Sequence, residues 1–313
     1  MSAVLPGLQD GRSSALVSLP RLRSQGGGAL VADERTVPEE TAIAFVYDGA
    51  PHAVMMATPA DLEDFALGFS LSEAVIDVPA QIAALEIRPT PLGIELRMQL
   101  AARSDKACTK RHRLTGPSGC GLCGVQTLDE ASKPVRWLRD EGAGWRCSPD
   151  DIAQAMQSLG DAQALNREAR ALHAAGFWCP GAGLVALRED VGRHNALDKL
   201  AGALAQRRTA GASGMVLLTS RISVELVQKT ARLGAPMIAA VSAPTALAVR
   251  TAEACGITLV ALARGRDFEV YSHADRIDAD PAGMDRERRL PMTGSTEPRS
   301  GSAPLQYCSG ASQ

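Results

Sequence analysis

The sequence predicts an α/β protein in two parts: a sheet covered on both sides in the C-terminal half, preceded by a smaller α+β unit. Two observations carry this. From about residue 184 onward, short runs that are apolar at every position alternate with amphipathic helical stretches, as expected of strands buried between helices. Before that, strand-like runs come in hairpins around one helix, divided by Asp-Gly and proline turns.

Taken in order, residues 1–32 are rich in Gly, Ser and Arg with no sustained period, which predicts a disordered arm, with order starting near Thr36. The small domain is expected over 33–146. Thr41–Tyr47 reads as a strand, Asp48-Gly49 as a turn and 52–57 as the returning strand. A helix follows. Thr58 is placed to cap it, Pro59 sits at its first position, and Leu62, Phe65, Ala66 and Phe69 share one face. Stretches 85–88 and 93–100 form a further hairpin pattern around Pro89 and Pro91.

The larger domain is expected over 147–277. Ser148-Pro149 opens a helix carrying Ile152, Ala155, Met156 and Leu159 on one side, and a second helical stretch over 162–175 brings in His173. Strands are predicted at 184–187, 215–219, 237–241 and 257–262, with helices at 194–206, 223–233 and 245–255 between them. The period is lost after Ala274, so 278–313 is predicted to be a disordered tail.

A net charge of −2 gives no support to a general nucleic-acid surface, which shows a basic excess. No apolar run is long enough to cross a bilayer, and the apolar patch among Arg12, Arg21 and Arg23 is too short for a secretory signal. A cytoplasmic protein is expected. The seven cysteines agree, since an odd number with five scattered singly does not form a disulfide framework.

The remaining pair is the centre of interest. Cys120 and Cys123 lie in Gly116-Pro117-Ser118-Gly119-Cys120-Gly121-Leu122-Cys123-Gly124, where the glycines exclude a helix interior. Half of a zinc site is one reading, but no second pair at similar spacing completes it. A dithiol redox centre is another, though such a cysteine usually opens a helix and these glycines argue against that placement. Sulfur relay fits better. A thiolate attacks the outer sulfur of a donor persulfide by the substitution used in thiol–disulfide exchange, and an exposed loop lets it meet donor and acceptor in turn. Lys110, Arg111 and Arg113 nearby favour the thiolate by charge.

Further candidates stand where buried strands end. Residues 187–200 (LREDVGRHNALDKL) leave a strand through a glycine turn into a helix, where α/β folds bind ligands. Their density of polar side chains exceeds what capping requires, so Arg193, His194 and Asn195 are ligand candidates. Ser220–Lys229 is largely explained by caps and an i, i+4 pair of Glu225 with Lys229. Ser242-Ala243-Pro244-Thr245 is a strand-to-helix turn. In 262–268, Arg264, Gly265 and Arg266 suit a phosphate, because arginine forks match its oxygens and glycine permits close approach. Strand ends pointing one way would build one crevice for an anionic ligand.

With these residues assembled, the chain resembles the formate dehydrogenase accessory sulfurtransferase family, FdhD, from about Glu34 to His273. The carrying motifs are CGLCG, REDVGRHNALDKL, SRISVELVQK, SAPTALAV and GITLVALARGRDFEVYSH, in family order. The resemblance implies a cytidine-deaminase-like three-layer α/β/α domain after the small one, and a homodimer. It implies that Cys120 forms a persulfide with sulfur from a cysteine desulfurase, with Cys123 as auxiliary thiol. The acceptor would be the molybdenum (or tungsten) bis-guanine-dinucleotide cofactor of formate dehydrogenase, held by Leu262, Ala263, Arg264, Gly265, Arg266 and Asp267, with no permanently bound metal. The chain departs from the family at Ala169-Arg170-Ala171, Ala261-Leu262 and Glu269, all on the expected cofactor side. His173-Ala174-Ala175 lacks the glutamate of the deaminase His-Ala-Glu, and no later CxxC follows, so deamination is disfavoured. The competing reading is a non-catalytic chaperone that binds the cofactor and docks it to the apoenzyme.

Overall fold

The computed structural model describes residues 14–24, 26–101, 114–115 and 144–278. The predicted tail beyond 278 and both cysteines of CGLCG lie outside them.

The first sheet is built from β3 (Thr41–Tyr47), β4 (Ala50–Ala57), β5 (Ile82–Thr90), β6 (Gly93–Leu100) and β7 (Leu114–Thr115), in the order β5-β6-β3-β4-β7. Helix α1 (Leu62–Ser72) covers it through the i, i+4 pair Phe65 and Phe69, whose rings meet Phe45 edge-on at 5.0 Å and stacked at 4.0 Å. The start of α1 departs from expectation. The helix begins after Asp61, which sits in the left-handed region (φ 53°) and makes no side-chain cap. Thr58 is fully buried, and its hydroxyl accepts from Val191 of the larger domain instead of capping α1.

The predicted disordered arm over 1–32 is also corrected over its described residues, 14–24 and 26–32. Here β1 (Leu16–Ser24) pairs with β2 (Leu30–Pro38) as an antiparallel ribbon. Leu19, Leu22, Leu30 and Val31 on it remain exposed, so the ribbon buries neither face and leaves no alternation to read.

The second sheet has the order β13-β12-β11-β10-β8-β9. Its strands are β8 (His173–Cys179), β9 (Gly183–Asp190), β10 (Met215–Leu218), β11 (Met237–Ala240), β12 (Thr258–Arg264) and β13 (Asp267–Ser272). On one face lies α2 (Pro149–Ala162), followed by the short α3 (Ala164–Ala169), whose Leu165 and Asn166 amides donate to Glu189 of β9; on the other face lie α4 (Arg193–Gln206), α5 (Val224–Leu233) and α6 (Ala246–Cys255). Strand residues alternate between the two cores: Val216 and Leu218 pack toward α4 and α5, Met215 and Leu217 toward Ile152, Ala155 and Leu159 of α2. A three-layer α/β/α arrangement results. The helix expected to open at Ser148-Pro149 is capped there by a capping box, with Ser148 Oγ accepting from Asp151 N at 3.1 Å.

The helix predicted over 162–175 is replaced by α3 and the first residues of β8. Arg170 (φ 55°) stops α3, and His173 opens a strand buried at every position after it. A strand buried on both faces shows no period that separates it from a helix.

The expected boundary at 146/147 falls between the two sheets, which belong to one unit ending at Asp278. Their joint is tight. A Cβ on Gly68 of α1 would stand 1.7 Å from the Asp198 carbonyl oxygen, and one on Gly202 of α4 would stand 1.9 Å from that of Asp64. Glycine at both places lets the backbones touch. Beside the crossing, buried Lys229 donates to Asp198 at 2.7 and 3.0 Å and to Glu73 at 3.2 Å. Burial works to lower the Lys229 pKa, but the Asp198 and Glu73 carboxylates outweigh it and raise it.

Candidate functional site at the carboxyl rim of the second sheet

Strands β10, β11 and β12 run parallel, and β9 points the same way because β8 is antiparallel to both of its neighbours. Their carboxyl ends therefore share one rim, as the sequence predicts. His173, at the start of β8, joins it.

At the β9 end, the polar run 187–200 is organised around Asp190, which has no exposed surface. Its Oδ1 accepts from Gly192 N (2.7 Å) and Asn195 Nδ2 (3.0 Å), and its Oδ2 from Thr58 N (3.0 Å) and Lys199 Nζ (2.7 Å). Lys199 also donates to Thr58 O at 2.8 Å, and Asn195 to Met56 O at 2.9 Å. These residues join the two domains. The carboxylate also occupies the N-terminus of α4, where a ligand phosphate would otherwise sit. The excess of polar residues over capping needs is thus answered by a buried joint, and Asn195 is committed to it.

Next along the rim is His194, 2% exposed, with neither ring nitrogen in hydrogen-bond contact; Glu225 Oε2 is 3.8 Å from Nε2. Burial tends to raise the Glu225 pKa, but His194 and Ser223 beside it, with its own backbone amide, hold it down at about 2. Glu225 lies in the first turn of α5, so that helix N-terminus also carries an internal carboxylate. His173 is held below the ordinary histidine range, first by burial and then by the Arg193 charge.

The far end of the rim is different. Leu262 (φ 52°) sits at an irregularity in the pairing of β12 with β13, Gly265 (φ 61°) turns the chain between the two strands, and Arg264 and Arg266 stand exposed there. Arg264 Nε donates to Val241 O at 3.3 Å, and Arg266 pairs with Asp150 of α2. Between α2 and this turn lies a cleft of about 680 Å³. Ala153, Met156, Val241 and Ala263 make it apolar, and Asp150, Gln154, Gln157 and the two arginines supply its polar groups. Of the candidate ligand residues, Ala263 to Arg266 line this cleft; Leu262 and Asp267 flank them, and Arg193, His194 and Asn195 stand at the other end of the rim. Asp150, Gln154 and Gln157 are not singled out by sequence, because an i, i+4, i+7 polar stripe reads as a solvated helix face.

Two other clefts, of about 520 and 510 Å³, lie along α1 and β5. The first contains Arg188, already paired with Asp64 and Asp61. Among the described residues, no group of three or more His, Cys, Asp or Glu side chains could hold a metal ion, and no helix is long and apolar enough to cross a membrane.

Residues 38–278 match the family model described as the FdhD/NarQ family. The chain belongs to the FdhD/NarQ family. Among its relatives, the sulfur carrier protein FdhD of Agrobacterium fabrum is 51% identical over 251 residues, covering 80% of this chain and 92% of that protein. The protein of the same name from Bordetella petrii is 44% identical over 264 residues, covering 83% and 93%. A crystal structure from Desulfotalea psychrophila, described as a formate dehydrogenase accessory protein, superposes with a TM-score of 0.64 over 84% of this chain and all of that one. At 23% identity that likeness speaks for the fold. Within this FdhD/NarQ chain, Cys120 follows β7 by five residues, and β7 pairs with β4 at the edge of the first sheet.

Proposed function

We propose that this protein is a sulfur carrier in formate dehydrogenase maturation, with Cys120 as the residue that bears the sulfur. The observation that carries the reading is the CGLCG pair inside a chain that spans 92% of a protein named as a sulfur carrier. In the loading step, the Cys120 thiolate attacks the terminal sulfur of a persulfide on a cysteine desulfurase. The donor's S–S bond breaks, the donor cysteine leaves as thiolate, and Cys120 becomes the persulfide. Cys123 serves as auxiliary thiol.

The acceptor in this reading is the guanine-dinucleotide cofactor of molybdenum or tungsten, a substrate and not a resident group. The arginine turn suits it. Of the rim's cationic or positively polarised anchors described above, Asp190 fills one buried helix terminus and Glu225 another, whereas Arg264 and Arg266 are exposed at the mouth of a cleft large enough for a nucleotide. The cofactor-bearing formate dehydrogenase apoenzyme is the expected partner, and a homodimer the expected state. The thiols Cys147, Cys179 and Cys255 are unpaired, in keeping with a reducing cytoplasm.

After incubation with cysteine desulfurase and cysteine, intact-protein mass spectrometry should show one added sulfur that a reductant removes, and Cys120→Ala should abolish it. An adduct that persists in that variant refutes the assignment of Cys120. Restoration of formate dehydrogenase activity in cells by Cys120→Ala would instead favour the cofactor-chaperone reading.

A further inference from the structure

The rim sorts its carboxylates by burial. Asp190 and its partner Lys199 have no exposed side-chain surface, and Glu225 is 12% exposed. Neither can leave without stranding a buried group. Arg266 and Asp150 are different: their side chains are 81% and 71% exposed, in water and open to exchange. Their contact is a single bond, from Nη2 to Oδ1, so the fork of the guanidinium is only half used.

We propose that Asp150 is a displaceable internal ligand of Arg266, and that the cleft admits an oxyanion-bearing ligand by exchanging that oxyanion for the Asp150 carboxylate. The inference rests on the reading that the arginine turn holds a nucleotide-bearing cofactor. A phosphate carries more charge than a carboxylate and engages both prongs of the fork, so it displaces Asp150. The remaining wall of the cleft gives the ligand its class. Asp150, Gln154 and Gln157 recur at i, i+4, i+7 and form one stripe along α2 facing the turn. Glutamine amides both donate and accept, which suits the edge of a planar heterocycle lying on the apolar floor more than it suits a second phosphate. The cleft thus takes a heteroaromatic body against α2 and its oxyanion against Arg264 and Arg266. In the unliganded protein Asp150 holds that place and makes weak anions poor ligands.

Titration calorimetry on the full chain, with GDP and inorganic pyrophosphate as probes, tests this. Asp150→Asn should tighten both probes about two- to fivefold, the range expected for releasing an exposed ion pair. Gln154→Ala with Gln157→Ala should weaken GDP several-fold and leave pyrophosphate unchanged. Glu86→Gln removes the same charge from an exposed position on β5 and should change neither. Asp150→Glu, which keeps a carboxylate at the stripe, should bind as the wild type does. If wild-type protein binds GDP and Asp150→Asn leaves or weakens that binding, the exchange is refuted while the nucleotide site stands. An equal gain with Glu86→Gln refutes it as well, since the effect would then come from net charge. Absence of GDP binding in both wild type and Asp150→Asn overturns the nucleotide reading and this inference together.

Discussion

Asp190 accepts four hydrogen bonds from residues on both sides of the domain joint, and Lys199 is the cation that balances it with no exposed surface of its own. A buried ion pair gains little over an apolar pair of the same shape, yet breaking it from one side leaves a charge with nowhere to go. Lys199→Met should therefore cost about 3–5 kcal/mol of unfolding free energy by urea titration. Adding Asp190→Asn to that variant should recover part of the loss. A Lys199→Met protein as stable as the wild type would show that Asp190 does not depend on this cation. The same residues show where sequence reading falls short. The polar excess of 187–200 is visible in the sequence, but its purpose lies in Met56 and Thr58, more than a hundred positions away.

At the scale of elements, α1 and α4 cross where Gly68 meets Gly202, and neither helix can carry a side chain at the contact. Alanine is the better helix former by about 1 kcal/mol, so propensity alone predicts a gain from Gly68→Ala or Gly202→Ala. The clash is with backbone carbonyls that cannot rotate away, and overpacking of that kind costs about 1–3 kcal/mol or more. Each substitution should lower the melting temperature, and a raised one would contradict the packing described. Element types were legible where one face differs from the other: α2 shows its capping box and stripe, and β3 its hairpin turn. They were not legible where both faces share one fate. In β8 both are buried, and in the β1–β2 ribbon apolar residues on both stay exposed, so the pattern vanishes.

For the whole molecule, acid stability reports on the rim. Glu225 has its pKa held at about 2 in the fold against an ordinary 4.5. A depressed carboxylate contributes stability in full above its unfolded value and loses it as pH falls from about 4.5 through 2. Glu225→Gln should thus be less stable than wild type at pH 7, with the difference shrinking as the pH falls through that window. A difference constant with pH would mean that Glu225 acts by shape and not by charge. The rim also sets the division of labour across the molecule. Its β9 end is closed by buried carboxylates and joins the domains, while its β12 end stays open to solvent, and that openness is why the proposed ligand site is assigned there.

By itself the sequence determined the α/β class, the order of most strands and helices, the cysteine pair and the arginine turn. Each of these is written in residues close together in the chain, as a period, a spacing or a turn signal. Only the tertiary structure decided which polar residues bind each other and which stay exposed to solvent. Asp190, Thr58 and Lys199 look as available in the sequence as Arg264 and Arg266 do. What separates them is burial, and burial depends on which distant segments the fold brings together.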